Sequence, residues 1–498
     1  MTATTGSFEG LLREHAHASG SRLFMISGDS VYTYAECDAL VDAFARRLEA
    51  VRGVRGRFVG LMFTNKPAFV IGYLAIQRAG AKVVPLNPRL GADELKYMIA
   101  DARMSLMLHD ETLAAKIPAE GSGRWAQGGV AMTAAAIAPG PPANAPEFPA
   151  DLSGVAVCIY TSGTTGRPKG ALLTHDALVA NARMCVEGMH ARHGEECIVA
   201  VLPLFHAFAS SACMGLALTA ASRMLLIEQF QPLDVLNRMA AHGATMFMGV
   251  PAMYGVLASV DNAPRVPSLR VCVSGGAPLP PATSDAFHRA FGMLIHEGDG
   301  PTECGPATSI NPVGGRVKTG TIGLPLNGVE MKIVDDAGNE RPANEPGEII
   351  VRSPSNFIGY LNQPGESAAA LRNGWVHTGD IGAVDDDGYF SILGRKKEML
   401  IVGGLNVYPR EVEEYLLQHP AVAEAAVIGV PDGVRGETPV AFVTVRDGMT
   451  LDTPAARAFL RDKIAPYKIP KKVIVVPGIP RTAAGKQDKL ALRRKYMV

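Results

Sequence analysis

The strongest constraint on the fold is an alternation of strand-like and helix-like segments early in the chain. The stretches "FVGLMF" and "AKVVPLN" are short and apolar, as buried strands are. Between them, "PAFVIGYLAIQRAG" has helical apolar spacing and ends at a glycine. Farther along, strand-like "LRVCVS" and helix-like "PPATSDAFHRAF" repeat the pattern. This alternation predicts parallel sheets covered by helices.

The length of the chain and a change in its sequence pattern predict two domains. A chain of 498 residues is too long for one ordinary core. The Ala- and Pro-rich segment 134–150 predicts an exposed connector. From about residue 320 the chain changes to short strands bounded by turns, and "GRKKE" at 394–398 is a charged joint. We predict a large α/β domain with parallel-sheet layers over 1–394, a hinge, and a small α+β domain over 395–498, which the hinge would make mobile.

Composition narrows the class of function. Forty-eight basic residues balance 48 acidic ones, which argues against a nucleic-acid binder because such proteins need a cationic face. Seven scattered cysteines without a CxxC pair argue against a disulfide framework or a structural zinc site. No secretory signal is visible, and the most apolar run, 207–221, is too short to cross a bilayer. We therefore expect a cytoplasmic protein without a transmembrane segment, and peripheral membrane contact stays open.

The stretch "YTSGTTGRPKG" predicts a loop that binds phosphate. Its hydroxyls and backbone N–H groups can converge on one concavity, its glycines permit unusual backbone angles, and Lys169 adds a positive charge. A Walker A loop requires the order GxxxxGK[ST], whereas Lys169 follows Pro168 and precedes Gly170. The loop therefore lies outside the P-loop NTPase class.

The same stretch resembles the signature of the adenylate-forming superfamily, which includes acyl-CoA synthetases, luciferases and peptide-synthetase adenylation domains. Six further motifs follow in that family's order and bring the resemblance to residues 30–493: "PLFHAFA", "SGGAPL", "GDGPTE", "HTGD", "GRKKEMLIVGGLNVYPREVE" and "PRTAAGK". The resemblance implies a ligase that forms acyl-AMP from ATP and a carboxylic acid, releases pyrophosphate and transfers the acyl group to CoA. It also implies Mg²⁺ as cofactor.

The resemblance also implies roles for individual residues. The residues that it assigns to the ATP phosphates are Thr161, Ser162, Gly163, Thr164, Thr165, Gly166 and Lys169. Those that it assigns to the rest of the nucleotide are Gly275, Gly276, Ala277, Pro278, Gly298, Asp299, Gly300, Thr302, Asp380 and Arg395. Glu303 is the implied Mg²⁺ ligand, since this hard cation prefers oxygen and shares its ligands with phosphate.

The remaining implied roles concern catalysis, the acid and CoA. Lys486 is expected to bridge the carboxylate and the α-phosphate in the first step and to withdraw with its loop in the second. With Glu303, Thr161, Lys169 and His206, it completes the implied catalytic set. The implied acyl pocket contains His206, Phe208 and Met248, and the implied hinge and pantetheine segment contains Lys397, Gly403 and Gly404.

One position departs from the family's pattern. Asp299 stands where the family usually carries the aromatic residue that stacks on adenine. Either that stacking contact is missing or another side chain supplies it. Asp299 also favours a competing interpretation, in which the chain is a non-catalytic nucleotide-binding relative.

The nature of the acid is constrained less strongly. Members of the superfamily that activate amino acids usually carry an aspartate in this region to pair with the substrate ammonium. "FHAFASS" has none, which disfavours amino acids. Malonyl-CoA synthetases, which the chain resembles in "GGLNVYPREVE" and "FH", use an arginine soon after the adenine loop for the second carboxylate. Here no arginine follows that loop before Arg289, so the comparison disfavours a malonate-type acid. "EGDGPTECGPATSINP" and "RNGWVHTGD" run close to bacterial fatty-acyl-CoA ligases. We predict a medium- or long-chain fatty acid; short-chain, aryl and malonate-type acids stay open, as does the oligomeric state, including a homodimer.

Overall fold

The computed structural model describes residues 6–137, 152–161, 168–481 and 487–496. The chain divides into two compact units. The first contains Met1–Met331 and Ile350–Thr378, and the second contains Lys332–Ile349 and Gly379–Val498. The domain boundary at 394–395 stays a prediction.

Within the described ranges, nine strands of the first unit form a mixed sheet. In order across the sheet they are Leu324–Pro325, Ser309–Ile310, Ile295–Asp299, Val271–Ser274, Met246–Gly249, Cys197–Ala200, Arg223–Leu226, Leu23–Ser27 and Ser30–Thr33. The central pairings are parallel and those at both edges are antiparallel. Val271–Ser274 and Cys197–Ala200 are buried along their whole length, as expected of parallel strands covered on both faces.

A second sheet of the first unit has eight strands among the described residues. In order they are Gly359–Tyr360, Lys169–Thr174, Val155–Thr161, Lys82–Pro85, Phe58–Met62, Leu106–His109, Val130–Ile137 and Ala119–Gln127. The strands Phe58–Met62 and Lys82–Pro85 pair in parallel, and the helix Pro67–Arg78 connects them. This confirms the predicted strand–helix–strand unit.

The predicted connector is partly wrong. Residues 134–137 belong to the strand Val130–Ile137, which pairs antiparallel with Leu106–His109. Ala135 and Ile137 are buried there, so the run of alanines that resembled a linker instead forms part of the sheet. The rest of the predicted connector, 138–150, together with 151, lies outside the described residues.

Helices cover these sheets. The α-helices of the first unit are Phe8–Ser19, Tyr34–Glu49, Pro67–Arg78, Ala92–Asp101, His175–Gly188, Ala207–Ala209, Leu216–Thr219, Pro232–Ala241, Pro251–Ala258, Pro281–Phe291 and Pro364–Ala370. Short 3₁₀ segments span Glu111–Lys116 and Thr302–Cys304, and a π-helical turn spans Ser210–Gly215. All seven cysteines are buried. Among the described helices, none has the length and apolarity needed to cross a membrane.

Two smaller sheets complete the described structure. One contains Glu330–Val334, Gly347–Arg352, Trp375–Val384 and Leu371–Arg372 in that order, and Phe390–Arg395 also pairs with Trp375–Val384. The other contains Leu405–Val407, Leu400–Val402, Gly436–Val445 and Val422–Asp432, and Lys472–Val475 also pairs with Gly436–Val445. The helices of the second unit are Pro409–Leu417, Thr453–Leu460 and Lys489–Tyr496, with 3₁₀ segments Lys396–Glu398 and Pro466–Lys468. Its core includes Val412, Leu416, Val427 and Leu460, so helices pack on one sheet as in the predicted α+β domain.

Candidate active site

Glu303 lies in a short 3₁₀ turn that a distant segment holds in place. The backbone N–H of Phe357 donates to the carbonyl oxygen of Glu303 at 2.8 Å. The hydroxyl of Ser355 donates to the carbonyl oxygen of Cys304 at 2.7 Å. The carboxylate that was predicted to hold Mg²⁺ therefore stands on backbone that two hydrogen bonds hold in place.

The segment before Glu303 folds back on itself, and this requires a glycine. A Cβ added to Gly300 would lie 2.2 Å from the carbonyl oxygen of Pro306, which no side chain could accommodate. The backbone N–H of Thr308 donates to the carbonyl oxygen of Asp299 at 2.9 Å and closes the same turn. The glycine of the "GDGPTE" motif at position 300 is thus explained by close backbone contact.

Tyr360 connects the predicted Mg²⁺ ligand to the predicted phosphate loop. Its hydroxyl donates to Oε1 of Glu303 at 2.8 Å. Burial and the nearby Glu303 carboxylate raise the pKa of Tyr360, so its hydroxyl stays protonated and can donate. The Nζ of Lys169 lies 5.1 Å from the centroid of the Tyr360 ring, within the range of a cation–π contact.

The predicted phosphate-binding lysine has a carboxylate partner. Lys169 is buried at the start of its strand and forms an ion pair with Glu366. The structure therefore brings Lys169 and Glu303 to one place, with Tyr360 between them and Glu366 beside them. The sequence analysis did not identify Tyr360 or Glu366 as site residues. Both lie in the stretch "GYLNQPGE", which contains no glycine-rich or metal-binding pattern that would have indicated a role.

The predicted phosphate loop begins at the end of a strand. Thr161 ends the strand Val155–Thr161 and is paired in register with Lys169. Its hydroxyl donates to the carbonyl oxygen of Lys169 at 3.4 Å. The predicted contacts Ser162, Gly163, Thr164, Thr165 and Gly166 lie outside the described residues, as does the predicted catalytic Lys486.

The predicted adenine loop is exposed between two buried ends. Gly276, Ala277 and Pro278 are exposed, whereas Gly275 is buried. The backbone N–H of Leu279 donates to Oε1 of the buried Glu297 at 3.0 Å, which anchors the end of the loop.

An aromatic ring contacts this loop. A Cβ added to Gly275 would lie 3.3 Å from two ring carbons of Phe208, so the ring packs against this glycine. Gly275, which was predicted to bind the nucleotide, and Phe208, which was predicted to line the acyl pocket, are therefore neighbours. Thr302, Gly298 and Asp299 are each partly exposed on the segment that follows.

A buried asparagine shapes the chain that leads to His206. The Asn65 side chain donates to the carbonyl oxygen of Leu202 at 2.8 Å and accepts from the N–H of Leu204 at 2.9 Å. His206 is partly exposed. Met248, by contrast, is fully buried in a central strand.

Two residues of the second unit that were predicted to bind the nucleotide form an ion pair with each other. Asp380 and Arg395 face each other in an antiparallel strand pair, and Nε of Arg395 lies 2.9 Å from Oδ1 of Asp380. The Asp380 side chain is buried and Arg395 is exposed. Lys397, the predicted hinge residue, is exposed in the 3₁₀ segment that follows.

Gly403 and Gly404 form a two-residue hairpin turn between Val402 and Leu405. Their φ angles are 60° and 80°, the positive values that this kind of turn requires at both central positions. The turn alone accounts for glycine at both positions. Their predicted contact with pantetheine stays a prediction.

The donor set fits Mg²⁺ that arrives with nucleotide. Among the described residues, no group of three His, Cys, Asp or Glu side chains could hold a metal ion by itself. Mg²⁺ is commonly held by one or two carboxylates together with substrate phosphates, and the Glu303 carboxylate can supply the protein's share. The ion would neutralise charge on the ATP phosphates.

Comparison with known proteins identifies the family. The family described as AMP-binding enzyme matches residues 12–361, and the AMP-binding enzyme C-terminal domain matches residues 411–486. The chain belongs to the AMP-binding enzyme family. The predicted adenylate-forming fold is thereby confirmed, with a large N-terminal domain and a small C-terminal one.

Full-length relatives of this AMP-binding enzyme include CoA ligases. A long-chain-fatty-acid–CoA ligase of Bacillus subtilis is 35% identical over 92% of this chain and 89% of its own. A feruloyl-CoA synthase of an Amycolatopsis species is 36% identical over 97% of both chains. The solved structure of ATP-bound MatB from Rhodopseudomonas palustris has a TM-score of 0.87 and 31% identity, covering 98% of this chain and 99% of that chain. The chain is an ATP-dependent, AMP-forming acid–CoA ligase that uses ATP, Mg²⁺ and CoA.

Proposed function

We propose that this ligase converts a medium- or long-chain fatty acid into its CoA thioester. The observation that carries the proposal is the apolar character of the acyl-pocket candidates, where Phe208 and Met248 offer no charge and His206 is the one polar member. Arg289, the first arginine after the adenine loop, is exposed in the last turn of the helix Pro281–Phe291. That exposure supports an acid without a second carboxylate.

The proposed reaction has two balanced steps. The acid's carboxylate oxygen attacks the α-phosphorus of ATP, and the bond to pyrophosphate breaks. The CoA thiol then attacks the acyl carbon, loses its proton, and AMP leaves with the former carboxylate oxygen. Because the first step brings two anions together, positioned cations and N–H donors contribute most of the catalysis. We assign Lys169 and Glu303 to the phosphates and their Mg²⁺, and Asp380 to the ribose.

An aryl acid is the second candidate. The feruloyl-CoA synthase of Amycolatopsis is 36% identical to this chain over nearly its full length. The ring of Phe208, which packs on Gly275, would also suit a flat aromatic acid because offset or edge-to-face ring pairs are favourable. Both candidates use the same adenylation chemistry and differ only in the acyl pocket.

A panel of acids tests the proposal. We expect AMP release with ATP, Mg²⁺ and CoA to increase from acetate towards palmitate, by about fourfold in kcat/KM per methylene, because each buried methylene contributes about 0.8 kcal/mol. The increase should stop where the pocket ends. Benzoate, ferulate and malonate complete the panel. Highest activity with ferulate or benzoate would replace the fatty acid with the aryl candidate, and highest activity with malonate would contradict both.

Asp299 offers a second test, on the nucleotide side. We expect Asp299→Tyr to lower the KM for ATP by about twofold to tenfold, because an added ring can stack on adenine at about 0.5–1.5 kcal/mol. The measurement is the KM for ATP at saturating acid, with kcat and thermal stability followed in parallel. An unchanged KM would indicate that another side chain already covers the base.

A further inference from the structure

The ion pair between Lys169 and Glu366 is placed where the phosphates of ATP are proposed to bind. The Lys169 side chain is only 9% exposed, so its charge needs a nearby anion. Glu366 supplies that anion, although the two residues are 197 positions apart in the chain. The lysine that should attract phosphate is thus already neutralised by the protein itself.

Backbone pairing explains why Glu366 reaches this position. Gly359–Tyr360 pairs antiparallel with the strand that begins at Lys169, and the N–H of Leu361 donates to the carbonyl oxygen of Gly170 at 2.8 Å. The short helix that carries Glu366 is tied back to this strand, because the hydroxyl of Ser367 accepts from the N–H of Tyr360 at 2.8 Å. The ion pair is therefore built into the sheet edge and is not a chance contact between two flexible side chains.

The two partners differ in their exposure to water. The Glu366 side chain is 42% exposed, compared with 9% for Lys169. Water reaches the Glu366 carboxylate and can solvate its charge when another anion takes its place at Lys169. Lys169 has no such alternative and keeps its position over the Tyr360 ring. An incoming anion would therefore displace Glu366 and leave Lys169 in place.

We propose that Glu366 is a resident counter-ion that holds Lys169 ready between turnovers and competes with the β,γ-phosphates for it. Glu366 is a positioning residue, since it acts through Lys169, and the inference rests on the proposed phosphate role of Lys169. Competition of this kind weakens binding of ATP, and it weakens binding of the product pyrophosphate by the same means. Glu366 thereby favours release of pyrophosphate after the adenylate forms.

The test is equilibrium binding to the full-length protein. Glu366→Gln keeps the size of the side chain and removes its charge. We expect this variant to bind MgATP and magnesium pyrophosphate about threefold to tenfold more tightly than the original protein, by isothermal titration calorimetry without acid or CoA. We also expect a lower melting temperature without ligand and a larger rise on adding MgATP, because the buried lysine gains a counter-ion only from the nucleotide.

A matched control separates this effect from a general change of charge. Glu330 is 55% exposed in the same unit and pairs with Arg352 at 2.5 Å, so Glu330→Gln removes an equal charge from a different ion pair. Its MgATP affinity should stay within twofold of the original. A gain similar to that of Glu366→Gln would overturn the proposal.

A double-mutant cycle tests whether the effect passes through Lys169. In a Lys169→Met background, Glu366→Gln should no longer tighten MgATP binding, since no cation is left to release. Unchanged or weaker binding by Glu366→Gln alone would overturn the counter-ion role, as would an equal gain in the Lys169→Met background. Absence of MgATP binding by the original protein would instead contradict the proposed function.

Discussion

We expect Glu303→Gln to slow adenylate formation by about 10²–10³-fold, the usual loss when one preorganised electrostatic group is removed from a site. The variant keeps the shape of Glu303 and the backbone turn that Phe357 and Ser355 hold in place. It removes the negative charge that Mg²⁺ would require. The measurement is acid-dependent exchange of labelled pyrophosphate into ATP over a range of Mg²⁺ concentrations. The defect should diminish as Mg²⁺ is raised, because a weakened metal site can be refilled by mass action.

Tyr360→Phe is the matched control for Glu303→Gln. It keeps the ring that faces Lys169 and removes only the hydroxyl that donates to Glu303 at 2.8 Å. A hydrogen bond to a charged group contributes about 1.5–3 kcal/mol, so exchange should fall by no more than about 10²-fold. If Tyr360→Phe proved as damaging as Glu303→Gln and neither responded to Mg²⁺, the role of Glu303 would be to orient its turn and not to hold the metal.

The fold could be predicted from sequence where the signal is local. The unit formed by Phe58–Met62, Pro67–Arg78 and Lys82–Pro85 has apolar spacings that differ between strand and helix, and each spacing is visible within a few residues. The strand Val130–Ile137 was not predicted, and its last four residues were assigned to a connector, because small apolar alanines occur both in linkers and in buried strands. The segment forms a strand because it pairs with Leu106–His109, and the alanines themselves give no indication of that pairing.

The site shows the same division between local and distant information. Glu303 and Lys169 could be named because each lies in a motif whose residue types suit phosphate and metal. Tyr360 and Glu366 could not, because their importance comes from an antiparallel pairing of two residues with a strand almost 200 positions earlier. Sequence patterns identify which side chains can do the chemistry, whereas the sheet edges determine which of them meet.

Lys486 is the other residue whose loss should have a large effect. We expect Lys486→Ala to reduce adenylate formation by about 10²–10³-fold, because the attack of a carboxylate on a phosphate needs a cation between the two anions. Thioester formation from supplied acyl-AMP and CoA should stay within about threefold of the original rate, since acyl-AMP no longer contains the free carboxylate that the lysine has to bridge to the α-phosphate. The two half-reactions are measured separately, by pyrophosphate exchange and by release of AMP from synthetic acyl-AMP.

The contrast between the half-reactions makes this prediction specific. Lys472, an exposed lysine on a strand of the same unit, provides the control, and Lys472→Ala should leave both rates unchanged. A variant that had lost its fold would lose both half-reactions together, which the melting temperature would reveal. Equal losses in a folded Lys486→Ala protein would mean that the lysine acts in both steps. In that case the idea of a C-terminal loop that serves only adenylation would have to be abandoned for this enzyme.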